Sequence, residues 1–289
     1  PTVRHWDVYV VEQFDSEPFN RGWTFNVGYA AAVRDLAASP DLASWPKAKP
    51  VACVVVQDID YLPEQGVDYA DCRYPTQLSS EIDRYNWGVP YEQSAGGVVS
   101  MSAPHWREVN GFSNDYFGWG GEDDDFYARL NRSVWRLLVP CSDGEGRRIR
   151  RPRKGHGRFS GEKMHSFGHT KRINYPKAYA ENMKLLKEML AGSDRWKRDG
   201  LSNLHFRVVD RVVDASDANY GITYHRLKVR RGHLAYDLRR VLLGIPPGAA
   251  PCGAPGAGSW TWVQLGNPVP QTLEQLRHRA AEAFGCKDG

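Results

Sequence analysis

Residues 51–60 read Val-Ala-Cys-Val-Val-Val-Gln-Asp-Ile-Asp, and the fold is decided there. Val51 to Val56 is a continuous apolar run, the pattern of a central strand buried on both faces. The run stops abruptly at Gln57-Asp58-Ile59-Asp60. Upstream, Asp7-Val8-Tyr9-Val10-Val11-Glu12 alternates and is rich in β-branched residues, which reads as a strand. Between the two, Phe25 to Leu36 reads as an amphipathic helix. Strand, helix and strand in that order form a βαβ unit. The expected fold is therefore α/β, a mixed and mostly parallel sheet flanked by helices with right-handed crossovers. Ligands of such sheets bind beyond the carboxyl ends of the strands, and Asp58 and Asp60 sit at one of those ends.

Farther along, Gly96 to Met101 reads as another strand, and His105 to Val109 as a short helix after Pro104. Gly118-Trp119-Gly120-Gly121 is a glycine-rich loop suited to act as a mobile lid. Glu122 to Leu130 reads as a helix whose first turn is acidic, where the helix dipole favours negative charge. Residues 144–172 read as a second mobile loop, basic and glycine-rich. Tyr179 to Leu190 reads as a helix, and Leu204 to Val209 and Ile222 to Val229 as strands. Gly244 to Gly258 is Pro/Gly/Ala-rich, and Thr272 to Phe284 closes the chain as a helix. These readings divide the chain into a catalytic domain over 1–231 and a C-terminal extension over 232–289.

The 289 residues carry a formal charge of only +4, which gives no general affinity for polyanions. The basic stretch Arg147 to Arg158 lacks interleaved aromatics, so it reads as a solvated loop and not as a nucleic-acid surface. No run approaches the ~20 apolar residues of a membrane span. Aromatic residues reach 12%, with 10 Trp, and such rings either fill cores or stack on sugar faces.

Three constellations carry chemistry. Carboxylates at i and i+2 after a buried strand, Asp58 and Asp60, can share one divalent cation. Hard oxygen ligands suit Mg²⁺ or Mn²⁺, which would neutralise a diphosphate. Alone, that spacing is common in surface loops. Glu122-Asp123-Asp124-Asp125 places four carboxylates together, which costs repulsion unless they are used. The glycines and Trp119 before them favour use, with one carboxylate taking a proton from an acceptor hydroxyl. His165 and His169 are candidate metal ligands, though a pair of surface histidines has the same local pattern.

Together and in this order, these motifs resemble the β-1,4-galactosyltransferase family (glycosyltransferase family 7, GT-A-like fold), from about Tyr9 to Val229. Phe19-Asn20-Arg21-Gly22 resembles its Phe-Asn-Arg-Ala. Asp58-Ile59-Asp60 resembles Asp-Val-Asp, and Gly96-Gly97-Val98 its Gly-Gly-Val strand. Trp119 to Asp125 is similar to its most specific signature. Asp199 to Leu204 resembles its Asp-Gly-Leu-Asn-Ser-Leu. The resemblance implies an inverting, Mn²⁺-dependent transferase (Mg²⁺ is the other candidate) that uses a UDP-sugar donor and a glycan acceptor. Asp123 would be the general base. Phe19, Arg21, Asp58, Arg84, Gly97 and Trp119 would meet the donor. Trp119, Gly120, Glu122 and Asp124 would hold the acceptor, and Asp60 with His165 or His169 would bind the metal. It further implies a Cys53–Cys72 disulfide and a Golgi-lumen or other secretory-pathway setting.

Several features depart from the family pattern. Ser94 stands where a Tyr usually restricts the donor to galactose, which admits N-acetylgalactosamine. Phe126-Tyr127-Ala128-Arg129 resembles the branch that galactosylates xylose. The family's first strand has no counterpart before Tyr9, so either the chain is truncated or another segment, such as Trp260 to Leu265, fills its place. A non-catalytic, glycan-binding relative is the alternative reading.

Overall fold

The computed structural model describes residues 6–38, 53–133, 149–161, 176–217, 222–231 and 260–266. Strand β1 (Trp6–Gln13) leads into helix α1 (Arg21–Ala38), which returns to β2 (Cys53–Asp58). Short strands β3 (Leu62–Pro63), β4 (Thr76–Gln77) and β5 (Glu81–Ile82) follow. Next come β6 (Val98–Ser102), α2 (Ala103–Glu108), α3 (Glu122–Arg132) and β7 (Arg158–Ser160). The described chain continues with α4 (Pro176–Leu190), β8 (Arg207–Asp217), β9 (Ile222–Arg230) and β10 (Trp260–Gly266).

Seven strands form one sheet in the order β4-β6-β2-β10-β1-β9-β8. The sheet is mixed and flanked by helices as expected, but it is not mostly parallel. Only β1 and β9 pair in parallel; the pairs β1–β10, β10–β2, β2–β6, β4–β6 and β8–β9 are antiparallel. The reason is β10. The β1–α1–β2 crossover leaves β1 and β2 running the same way, and β10 lies between them, antiparallel to both. A strand from the segment beyond residue 231 is therefore part of the central sheet, in the place for which Trp260 to Leu265 was a candidate. The expected helix over 272–284 lies outside the described residues.

Pleating splits the core into two clusters. Tyr9 and Val11 of β1 and Val54 and Val56 of β2 pack with Trp23, Phe25 and Val27 of α1, Trp106 of α2 and Phe126 of α3. Val8 and Val10 of β1 and Val55 of β2 face the other way, against Tyr61, Tyr69, Leu78 and Phe159. The second cluster is capped by a small sheet in the order β3-β7-β5. The apolar run of β2 is thus buried on both faces, as its composition requires.

The reading of 144–172 as a solvated, mobile basic loop is corrected for 149–161. Ile149 and Phe159 are buried. Arg150 pairs with Asp71 at 2.7 Å, and Arg158 pairs with Glu64 at 3.2 Å and lies 3.7 Å from the centroid of the Trp87 ring. These arginines anchor the chain across the small sheet, each partner being a carboxylate or ring from residues 64–87.

Candidate active site at the carboxyl end of β2

β2 ends at Asp58, whose N–H donates to the Gly97 carbonyl at 3.1 Å. Gly97 has φ +78°, and a Cβ there would stand 2.5 Å from the Ser79 hydroxyl oxygen, so the position needs glycine. The turn after Asp58 is locked from below by buried Gln57. Its amide donates to the Tyr61 carbonyl at 2.9 Å and accepts from the Tyr69 hydroxyl at 2.9 Å. This positions Asp58 and Asp60 at the sheet's edge, both part-exposed.

Arg21 opens α1, capped by Asn20, whose side-chain oxygen accepts from the Trp23 N–H at 2.8 Å. The Arg21 guanidinium grips Asp58 with two hydrogen bonds, Nε to Oδ1 at 2.6 Å and Nη2 to Oδ2 at 3.0 Å. It also stands 3.7 Å from Glu122 and over the Phe25 ring at 4.7 Å. Half-buried Phe19 contributes its carbonyl, which accepts from the N–H of Gly118 at 2.8 Å and so ties down the start of the Trp119 loop.

The four carboxylates of α3 separate by role. Asp125 is fully buried and structural: it accepts from Arg129 at 2.6 Å, from the Tyr116 hydroxyl at 3.0 Å and from Arg195 at 3.1 Å. The other three are part-exposed. Burial and the Asp123 charge push Glu122 up to about 7, against the opposing pull of Arg21. Burial also raises Asp123, with Arg21 opposing and Asp124 adding. Asp124 accepts from the Tyr91 hydroxyl at 2.8 Å. Asp123 lies against Gly96, where a Cβ would come within 2.7 Å of its carboxylate. Arg21, Asp58, Gly96, Gly97, Glu122 and Asp123 are thereby one cluster.

Trp119 is 52% exposed and stacks on Tyr179 of α4 at 5.8 Å and 14°. Gly118, Gly120 and Gly121 all have positive φ, so the loop backbone here depends on glycine. Arg84 sits on a turn whose Asp83 carboxylate accepts from the Gly161 N–H at 3.0 Å. Its guanidinium donates to the Tyr61 hydroxyl and lies 4.9 Å from the Tyr85 ring centroid. The Tyr85 and Tyr91 rings are exposed, and burial together with nearby carboxylates raises the Tyr91 hydroxyl above its ordinary range.

His165 and His169 lie outside the described residues. Among the described residues no group of three His, Cys, Asp or Glu side chains is placed to hold a metal. Asp60 supplies one hard oxygen donor of the right class for Mn²⁺ or Mg²⁺. A Cβ on Gly161 would lie 3.5 Å from the Asp60 carbonyl. Asp60 alone matches a divalent cation in donor class, and any further ligands would come from outside the described residues.

Cys53 and Cys72 form a disulfide and tether the loop that follows β2. The Asp199 motif is structural: its carboxylate accepts from the Asn114 N–H at 2.8 Å and from the Ser113 hydroxyl, Arg129 and Arg195. Phe126 to Arg129, which suggested a xylose acceptor, are all buried and present no surface to an acceptor. Sequence reasoning missed Gln57, Tyr61, Tyr91 and Tyr179. A lone Tyr or Gln carries no spacing signal, and these act through neighbours distant in sequence.

Two family models match the chain in succession. One, described as the N-terminal region of glycosyl transferase group 7, covers residues 3–73. The other, described as the N-terminal domain of galactosyltransferase, covers residues 76–160. β-1,4-Galactosyltransferase 6 of Homo sapiens is 32% identical over 216 residues, covering 73% of this chain and 47% of that protein. β-1,4-Galactosyltransferase 5 of Sus scrofa is 35% identical over 155 residues, covering 53% of this chain and 37% of that protein. A mutant Drosophila β-1,4-galactosyltransferase 7 solved with manganese, UDP-Gal and xylobiose gives a TM-score of 0.48 at 19% identity, over 79% of this chain and 82% of that one. The chain spans less than half the length of the curated relatives it matches. With the two models together matching more than half of its residues, the chain belongs to glycosyltransferase family 7, the β-1,4-galactosyltransferase family.

Proposed function

We propose that this chain is an inverting glycosyltransferase that moves galactose or N-acetylgalactosamine from a UDP-sugar to an acceptor-sugar hydroxyl. The observation that carries this reading is the meeting of two elements. The Asp58 end of β2 and the acidic first turn of α3 are joined by Arg21, and exposed Trp119 lies in the glycine-rich loop that leads into that turn. Asp123 takes the proton from the acceptor hydroxyl as that oxygen attacks the anomeric carbon. The bond to the diphosphate breaks on the opposite face, so an α-linked donor gives a β-linked product. The site favours Asp123 as base because its carboxylate stands against Gly96, two residues before β6, next to Gly97 of the donor site.

Glu122 and Asp124 orient the acceptor, Trp119 and Gly120 close over it, and Phe19, Arg21 and Asp58 frame the donor. Arg84 faces the leaving diphosphate. A bound Mn²⁺ (or Mg²⁺) would supply charge neutralisation of that diphosphate, held by Asp60 with His165 or His169. Donor choice rests on Ser94, a small buried side chain beside Gln77. The disulfide supports an oxidising, secretory-pathway setting such as the Golgi lumen.

Calorimetric titration of UDP and UDP-galactose, with and without Mn²⁺, tests the reading on wild type and Asp60→Ala. Metal-dependent binding lost in Asp60→Ala is expected. Asp123→Asn should bind UDP as wild type does while kcat falls roughly 10²–10⁴-fold. No nucleotide binding under any condition would replace this reading with that of a glycan-binding relative.

A further inference from the structure

One arginine of the basic segment reaches the candidate site. The segment is fixed against β4: the Arg150 N–H donates to the Pro75 carbonyl at 2.8 Å, and the Gln77 N–H donates to the Arg150 carbonyl at 2.8 Å. Buried Ile149 and the Arg150–Asp71 pair anchor it further. From this support the half-buried Arg151 guanidinium makes two hydrogen bonds. Nη2 donates to the Glu92 carbonyl at 2.6 Å, and Nε donates to the Gln77 side-chain oxygen at 3.1 Å. An arginine offers donors only, so Arg151 dictates which way the Gln77 amide points. The Gln77 oxygen faces Arg151, and its NH₂ reaches the Ser94 hydroxyl at 3.4 Å and the Gly96 carbonyl at 3.3 Å.

All these contacts fall on one stretch, residues 91–96. It begins with a turn in which the Ser94 N–H donates to the Tyr91 carbonyl at 3.2 Å. Arg151 holds Glu92, inside that turn, directly, and it holds Ser94 and Gly96 through Gln77. The same stretch carries two groups that meet the acidic turn of α3. The Tyr91 hydroxyl donates to Asp124 at 2.8 Å, and a Cβ on Gly96 would come within 2.7 Å of the Asp123 carboxylate.

We infer that Arg151 is a positioning residue for the acceptor side of the site. It clamps residues 91–96 and, through Tyr91 and Gly96, sets where Asp124 and Asp123 stand. This deepens the proposed transferase reading and rests on it. Arg151 itself touches no reacting group; its effect is geometric, and a misplacement near 1 Å at a reacting centre costs about a hundredfold. Asp58 has its own clamp in Arg21, so the nucleotide side should stay in place when Arg151 is lost.

Initial rates of wild type, Arg151→Met and Arg151→Lys test this, with UDP-galactose and Mn²⁺ and with p-nitrophenyl β-xyloside and β-N-acetylglucosaminide as acceptors. Calorimetric titration of UDP with Mn²⁺ gives the nucleotide affinity and the binding-competent fraction of each variant. Arg151→Met should raise acceptor KM at least about fivefold, the scale of one lost hydrogen bond, with UDP affinity within about twofold of wild type. Arg151→Lys keeps a donor for the Glu92 carbonyl but not the planar fork that also orients Gln77, so its KM should fall between the two. A merely structural role would lower the competent fraction and kcat together and leave KM alone. That result, or wild-type KM in both variants, would overturn the inference while leaving the transferase reading intact. UDP affinity lost in step with acceptor KM would also overturn it, because the damage would then be general. Should Arg151→Met fail to fold, the KM of Arg151→Lys decides. A wild type that transfers galactose neither to these acceptors nor to water would overturn both readings together.

Discussion

Replacing Arg21 with methionine removes the guanidinium that Asp58 and Glu122 share. The pair with Asp58 is short on both arms, 2.6 and 3.0 Å, and the side chains keep 11% and 24% of their exposure. Breaking a buried pair by deleting one partner costs about 3–5 kcal/mol. Water can partly resolvate Asp58, so the loss falls to the bottom of that range or just below it, roughly 2–3 kcal/mol, with the cation–π contact to Phe25 included. The cost also depends on pH, and its sign follows from Glu122. In the wild type, burial raises Glu122 from 4.5 to about 7. The folded state binds that proton more tightly than the unfolded chain, so this group's contribution to stability declines as pH rises from about 4.5 to about 7. Arg21 opposes the shift. Without it Glu122 and Asp123 rise further, and the declining window extends above pH 7. Arg21→Met should therefore lose more stability at pH 8 than at pH 5, and the acidic limb of its kcat/KM profile should move to higher pH. Urea unfolding followed by tryptophan fluorescence at both pH values measures this. Adding Asp58→Asn should recover at least about 1 kcal/mol, because the stranded carboxylate is gone. A loss below about 1 kcal/mol at pH 8, or an equal loss at pH 5 and pH 8, would refute the view of Arg21 as the shared clamp.

The remaining predictions concern the frame and the lid. Gly200→Ala puts a Cβ 1.9 Å from the Asn110 carbonyl oxygen at φ +144°, so a loss of at least about 3 kcal/mol or outright failure to fold is expected. Thermal unfolding within about 1 kcal/mol of wild type would mean that the Asp199–Gly200 segment packs differently. The Cys53–Cys72 bridge closes a loop with a sequence separation of 19, worth about 3 kcal/mol on chain-entropy grounds. Urea midpoints of the Cys53→Ala/Cys72→Ala double variant should fall accordingly, and a reductant should lower the wild-type midpoint but not the variant's. Trp119→Ala should leave the unfolding midpoint unchanged, because the ring is 52% exposed, while acceptor KM rises at least about fivefold. A midpoint lowered by several degrees would instead mark Trp119 as packing.

The parts of this molecule that were legible in the sequence are the local ones. Val51 to Val56 signalled a strand buried on both faces because that burial is written in every residue of the run. The helix start at Glu122 was visible because its acidic turn follows a glycine hinge. The sheet order was not legible. Whether β1 and β2 touch depends on a strand some 200 residues later, and no periodicity within residues 1–60 encodes an insertion by residues 260–266. The expected parallel majority failed there, and again where β6 and β8 run against their neighbours. The basic stretch misled in a related way. Composition reports charge but not partners, and Asp71 and Glu64, which hold Arg150 and Arg158, come from a loop with little pattern of its own.

The acidic turn shows how partners resolve what a motif leaves open. Four consecutive carboxylates are equivalent in the sequence, and repulsion among them is their shared cost. The fold distinguishes them by what stands opposite each. Asp125 turns inward to Arg129 and Arg195, cations that lie 4 and 70 residues away. Glu122 falls within reach of Arg21, and Asp124 receives the Tyr91 hydroxyl. Asp123 is held by the backbone N–H of Asp124 at 3.1 Å and has its carboxylate over Gly96, where no side chain intervenes. A group meant to accept a proton must be fixed in place yet keep a lone pair for the substrate, and a backbone hydrogen bond does the first without consuming the second. The surroundings of all four carboxylates support the proposal of Asp123 as base, and it fails if Glu122→Gln lowers kcat as far as Asp123→Asn does.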